Sequence, residues 1–109
     1  GMSFLAPVAF FFAASISVVV PVYNSEQILH VLIQRLEPVL ESVSDRYELV
    51  LVNDGSRDGS WEAITRLSAA YPWLRGMGLM RNFGQHNALL CGIRAARWET
   101  YPAAALCTP

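Results

Sequence analysis

The 109-residue sequence contains no lysine: its eight basic residues are all arginine. That absence excludes chemistry built on a Schiff-base lysine or on the phosphate-gripping lysine of a P-loop. Two cysteines, Cys91 and Cys107, are too few for a disulfide framework and lack zinc spacing. Each reads as a small buried or incidental residue. Charge is sparse as well, with 16% charged against 53% hydrophobic residues and a net charge of −1. A basic field for nucleic acid is therefore missing, and so is the composition of a disordered chain. No G-x-G-x-x-G follows the first apolar run, which argues against a dinucleotide-binding domain, and neither G-x-S-x-G nor C-x-x-C occurs. Asp54-x-Ser56-x-Asp58-Gly59 loosely fits a calcium loop, but its twelfth position is Thr65 and not the bidentate glutamate.

What is present is one domain's worth of chain, able to bury roughly two thirds of its unfolded surface. Gly1 before Met2 reads as the scar of a removed tag. Phe4–Ala14 is strongly apolar, and residues 2–25 carry no charged side chain. A membrane anchor or signal peptide is one reading. Against it stand the absence of a positive flank, the interruption at Pro7 and the direct run into a strand-like segment. A short extension packed beside the first strand is the favoured expectation, giving residues 1–15 as scar and extension.

Ile16–Val22 reads as the first strand, with Pro21 placed where a strand terminus tolerates it. Asn24 or Ser25 is placed to cap a helix carrying Ile28, Leu32, Leu36, Val39, Leu40 and Val43, which Pro38 should kink or restart. Leu49–Val52 is an unbroken β-favouring run, suited to a strand buried on both faces. It breaks into Asn53-Asp54-Gly55-Ser56 and then a helix over 60–71, with Trp61, Ile64, Leu67 and Tyr71 on one face and Pro72 as its stop. Gly76–Met80 is a weaker strand, followed by the turn Arg81-Asn82-Phe83-Gly84 and a helix through Ala88, Leu89, Gly92, Ile93 and Ala96. Three β-α units in series imply an α/β fold with a Rossmann-like parallel sheet and right-handed crossovers.

All three strand-to-helix turns fall on one edge of such a sheet, where ligands bind in open α/β folds. They supply Pro21, Tyr23, Asn24 and Glu26; Asn53, Asp54, Ser56 and Asp58; and Arg81, Asn82, Gly84 and Gln85. Three helix amino ends behind this polar collection suit a nucleotide. Asp54 is placed to accept from a base N–H or ribose hydroxyl, Ser56 and the Gly55 amide to serve polar edges, and Arg81 to meet a phosphate. The plainer readings make Asp58 and Asn24 helix caps and Arg81 a solvated turn residue. For Asp58 the cap is favoured, for Asp54 the ligand, and Glu26 stands evenly between the two. His30 reads as a helical surface residue, and His86 as structural or solvated although it opens the third helix.

Val18–Glu26, Glu48–Ser60 and Arg81–Ala96 together resemble the beginning of a family 2 glycosyltransferase, and the third motif is similar to the polyprenyl-phosphate (dolichol-phosphate mannose synthase-like) branch. The resemblance spans residues 16–97. It implies the GT-A fold, a nucleotide-diphosphate sugar donor, inverting transfer, a Mg2+ or Mn2+ ion, and a site at the inner, cytoplasmic face of a membrane where cell envelope glycan is made. It places Pro21, Tyr23, Asn24 and Glu26 around the nucleotide, Asp54 at base and ribose, and Arg81, Asn82, Gly84 and Gln85 along the donor. The family's next strand ends in an Asp-x-Asp metal motif, which has no counterpart here because no aspartate follows Asp58. Residues 98–109 depart from the family's continuation and read as a truncated or frame-shifted end. The expectation is thus a nucleotide-sugar-binding part truncated before the metal-binding strand, with no metal ligand and no catalytic residue assigned, weak or inactive alone. The alternative is a non-catalytic α/β module that self-associates through an open sheet edge.

Overall fold

A computed structural model describes residues 7–12, 15–79 and 81–95 of the chain. Strands β1 (Val8–Phe12), β2 (Ser15–Val22), β3 (Arg46–Asn53) and β4 (Leu74–Gly78) form one sheet in that spatial order, interleaved with helices α1 (Leu29–Val43), α2 (Ser60–Ala70) and α3 (Gln85–Ala95). The β2–β3 and β3–β4 pairs are parallel, whereas β1 runs antiparallel to β2. The fold is α/β with a mostly parallel, Rossmann-like sheet. No helix among the described residues is long and apolar enough to cross a membrane. Residues 1–6 and the atypical tail from Trp98 lie outside the described residues.

The sheet's two faces carry separate cores because alternate residues of each strand point to opposite sides. On one face Ile16, Val18, Val20 and Val22 of β2 join Leu49 and Leu51 of β3 beneath α1 and α2. On the other, Val19, Val50 and Val52 meet Ala88 of α3. All eight residues of β2 are buried, as are the last six of β3. This two-sided burial explains why both segments read as continuous apolar runs. Glu48 is a buried exception at 1% exposure: it accepts from Ser17 Oγ at 2.9 Å and from the Arg75 guanidinium at 3.2 Å.

Several expected boundaries and faces shift. α1 passes through Pro38 as one helix instead of restarting there, and its buried seam is Leu29, Ile33 and Leu40, rotated from the expected stripe. Ile28, Val39 and Val43 consequently stand exposed. Neither Asn24 nor Ser25 caps α1. The chain first makes a turn in which the Ile28 N–H donates to the Ser25 carbonyl, and the helix begins without a side-chain cap. β4 starts two residues earlier than Gly76, paired Leu74↔Leu49. Its glycines are covered from above: the Trp61 ring lies 3.4 Å from where a Cβ on Gly78 would sit, so Trp61 of α2 packs on β4 though 41% exposed.

α3 approaches the sheet most closely at Gly92, where an added Cβ would strike the Val19 and Val52 side chains. Interiors packed to crystal density leave no room for an extra methyl group. Gly92→Ala is therefore expected to destabilise the chain by about 1–3 kcal/mol in denaturant unfolding. A variant as stable as the parent would contradict this packing of α3.

Candidate active site

The carboxyl ends of β2, β3 and β4 open into three loops whose backbone groups and side chains bind each other before they bind anything else. The Asp54 N–H donates to the Val22 carbonyl at 2.8 Å, and the Leu79 N–H to the Asn53 carbonyl at 2.9 Å, so the parallel ladder continues past the strand ends. Beyond that point side chains take over. Asn24 adopts a left-handed φ of 49°, which asparagine tolerates better than most residues. That conformation lets its Oδ1 accept from the Arg57 N–H at 2.8 Å while its own N–H donates to Ser56 Oγ at 3.0 Å. The Ser25 N–H donates to Ser60 Oγ at 2.8 Å, and Glu26 Oε1 accepts from the Gly59 N–H at 3.0 Å.

Asp58 completes this zipper. Its Oδ1 accepts from the Ser60 N–H at 2.9 Å and from Ser60 Oγ at 2.6 Å, and its Oδ2 from the Glu26 N–H at 3.4 Å. The N-cap of α2 is Gly59, which makes no side-chain cap, so Asp58 is not the cap expected of it; it stands one residue earlier and satisfies the N–H of Ser60, the first helical residue. Partial burial alone would push the Asp58 carboxyl up, but the hydrogen bonds from Ser60 and Glu26 outweigh it and hold the group below the ordinary aspartate range.

The third loop is joined by Asp54, which is 2% exposed and accepts from the Phe83 N–H through Oδ1 at 2.7 Å. Gly55 sits at φ +68°, and a Cβ there would collide with the Asn82 backbone, so a glycine is required where these two loops meet. Asn82 Oδ1 accepts from the Gly84 N–H at 3.0 Å and shapes the turn into α3. Asn53, by contrast, is buried on the other side of the strand, and its Oδ1 meets no donor among the described residues.

A cleft of about 180 Å³ lies between these loops, lined by Pro21, Val22, Tyr23, Asp54, Asn82, Gly84 and Gln85. Sites that enclose a whole drug-sized ligand run to roughly 300–1,000 Å³, so this cleft matches a fragment of nucleoside size. The remaining residues singled out from the sequence lie elsewhere. Asn24, Glu26 and Ser56 hold loop to loop, and Gly55 supports the turn beneath. Arg81 is exposed, its guanidinium 5.1 Å from the centre of the Phe83 ring in a cation–π arrangement. His86 is exposed on α3, and His30 lines a separate hollow of about 460 Å³ between α1 and α2. Sequence reading missed Val22 as a lining residue because it looked like one more core valine. It also missed the zipper, which is visible only once Asn24 and Arg57 are brought together across 33 positions.

The donor set does not fit a divalent metal. Among the described residues no three His, Cys, Asp or Glu side chains gather to hold an ion. Asp54 offers one carboxylate whose Oδ1 is already engaged, while Glu26 and Asp58 are tied to backbone amides. A hard divalent cation needs several oxygen ligands around it, and these loops do not assemble them.

The family model for glycosyl transferase family 2 matches residues 17–101. The chain is 42% identical over 85 residues to the undecaprenyl-phosphate 4-deoxy-4-formamido-L-arabinose transferase of Aeromonas hydrophila, covering 77% of this chain and 26% of that protein. The transferase of the same name from Shewanella sediminis is 43% identical over 86 residues, covering 77% and 26%. A Bacillus subtilis (strain 168) glycosyltransferase is 41% identical over 81 residues, covering 74% and 25%. The chain thus spans about a quarter of the length of the curated relatives it matches.

A pH profile tests the zipper. Because the folded-state pKa of Asp58 is lowered, its contribution to stability is fully present above the unfolded value, near 3.8, and is lost as pH falls through the folded one. Asp58→Asn is expected to flatten the acid limb of the unfolding free energy measured between pH 5 and pH 2. Superimposable acid limbs for parent and variant would contradict the hydrogen-bonded carboxylate.

Proposed function

The chain belongs to glycosyl transferase family 2, and from that premise we propose that it is the nucleotide-sugar-binding part of a glycosyltransferase that transfers a sugar to a polyprenyl phosphate. The observation that carries this reading is the buried Asp54 carboxylate, held at the carboxyl edge of parallel strands between the Pro21–Tyr23 turn and the Asn82–Gln85 turn. Asp54 Oδ1 is occupied by Phe83, which leaves Oδ2 for a base N–H or ribose hydroxyl. Tyr23, 37% exposed beside it, offers a ring face to the base. Asn82 and Gln85 supply polar side chains along the ribose and diphosphate, and Arg81 turns from Phe83 toward phosphate. Asn24, Glu26, Gly55 and Ser56 act one step back, fixing the loops that present these groups. The names of the relatives support undecaprenyl phosphate, or a similar lipid phosphate, as acceptor and hence work at the inner face of a membrane.

In an inverting transfer the acceptor phosphate oxygen attacks the anomeric carbon. The bond from that carbon to the diphosphate oxygen breaks on the opposite side, and the nucleoside diphosphate departs. Charge building on the leaving diphosphate must be neutralised, a contribution of several kcal/mol to the barrier. Arg81, next in sequence to the lining residue Asn82, is the cation this reading assigns to that task, and the loops do not fit a metal that would share it. The chain alone is accordingly expected to bind donor and to transfer poorly.

A self-associating module is the second reading, favoured by one observation: β1, without a charged residue, is one of the two outer strands of the described sheet. Light scattering separates the two, since a monomer that binds nucleotide fits the first and a nucleotide-blind oligomer the second.

Thermal-shift titration with UDP, GDP, CDP and TDP, with and without manganese and with NAD as control, tests the site. At about 100 times the dissociation constant, a bound nucleotide stabilises the fold by roughly 2.7 kcal/mol. The expected result is a shift with one nucleoside diphosphate that barely depends on manganese and is abolished in Asp54→Ala. No shift with any of them would overturn the reading.

A further inference from the structure

Along its side nearest α1, α2 carries small residues where large apolar ones would close the seam between the two helices. Ala63, Arg66, Leu67, Ala70 and Tyr71 stand at positions i, i+3, i+4, i+7 and i+8, and all five line the hollow between α1 and α2. Alanine at 63 and 70 leaves the space open. Leu67 and Tyr71, both half-buried, give it an apolar bed, and Trp73 backs the Tyr71 ring with ring centres 5.4 Å apart. The hollow, of about 460 Å³, exceeds the loop cleft of about 180 Å³. It falls within the roughly 300–1,000 Å³ of sites that take whole small molecules.

The charged groups that border it are of both signs and come from different elements. Glu26 stands at one end, where its Oε1 accepts from the Gly59 N–H at 3.0 Å at the start of α2. Its Oε2 accepts from no donor among the described residues. Arg66 lies seven residues beyond Gly59, about 10 Å along the helix axis, and its side chain leans back toward the amino end. Glu62, one turn before Arg66, has the spacing that pairs acid with base on a helix surface. Arg66 nevertheless makes no hydrogen bond or ion pair with Glu62, with Glu26 or with any other of the described residues. An acid and a base thus border one trough without meeting, and Ala63 and Leu67 lie between them.

We propose that the hollow between α1 and α2 is a second binding site, for a small elongated zwitterion. Its ammonium group sits at Glu26, its carboxylate at Arg66, and the short apolar chain joining them lies along Ala63 and Leu67. A lone anion meets the Glu26 carboxylate and a lone cation the Arg66 guanidinium, whereas a ligand bearing both charges in this order satisfies each end. Binding adds a second partner to the carboxylate that holds Gly59, so occupancy of the hollow tightens the Glu26–Gly59 link of the loop zipper. The inference does not rest on what the cleft binds.

Amide-resolved NMR titration of the full chain with 6-aminohexanoate tests the site, against hexanoate and hexylamine, each of which lacks one of the two charges. Saturable shifts are expected at the amides of Gly59, Ala63, Arg66, Leu67 and Tyr71 with 6-aminohexanoate. Hexanoate and hexylamine are each expected to bind about tenfold more weakly or worse, the order of effect of one lost hydrogen bond between charged groups. Arg66 is exposed, so Arg66→Gln leaves the fold intact and is expected to weaken 6-aminohexanoate by a similar factor. Glu26→Gln keeps an acceptor for the Gly59 amide while removing the charge, and the same loss is expected there. No saturable shift with 6-aminohexanoate, shifts that fall outside the hollow, equal binding of hexanoate or hexylamine, or full affinity in either variant would overturn the proposal.

Discussion

Everything in this molecule hangs on the parallel pairing of β2 with β3, which runs in unbroken register from Ser15↔Arg46 to Val22↔Asn53. It divides the apolar residues between two cores and fixes where the polar loops begin. Because both strands are buried on both faces, a one-residue slip would move every valine and leucine to the wrong core. That makes the register steep, and the Asp54 N–H bond to the Val22 carbonyl carries it one step past the strands. The first two loops therefore start level with one another.

From level starts, side chains of ordinary reach can bridge the loops. Asn24, Ser25 and Glu26 meet Ser56, Arg57, Asp58, Gly59 and Ser60 through hydrogen bonds of 2.8–3.4 Å. Each is worth on the order of 1 kcal/mol net, less where solvent competes. Together they hold a cleft that does not wait for ligand to form. The cost is specificity of role: residues whose polar atoms are committed to the scaffold have fewer left for a ligand. Asp54 stands between the two uses, with one oxygen on the Phe83 amide and one available.

Much of the architecture was legible from the sequence because it rests on signals of short range. The runs Ile16–Val22 and Leu49–Val52, followed by Tyr23-Asn24-Ser25 and by Asn53-Asp54-Gly55, announce buried strands feeding polar turns. What misled was local chemistry whose outcome is set by distant partners. Asn24 carries the signature of a helix cap, but its Oδ1 is claimed by Arg57, so the cap is never made. Trp61 looks like a core anchor, yet glycines at 76 and 78 leave a shelf on which its ring lies half in solvent. Glu48 has no sequence signal of burial, since Ser17 and Arg75 are remote in the chain. Of the candidate site, the lining turns were readable from position alone. Which residues line the cleft and which brace it was not.

We propose that the loop cleft around Asp54 is where a nucleoside diphosphate binds. The most direct test is an amide-resolved NMR titration of the full chain with the nucleoside diphosphates. Perturbations are expected to concentrate at Tyr23, Asp54, Phe83, Gly84 and Gln85, with the Phe83 amide, bonded to Asp54 Oδ1 at 2.7 Å, among the largest. Perturbations gathered instead around His30, Arg66 and Tyr71 in the hollow between α1 and α2, or absent altogether, would contradict it.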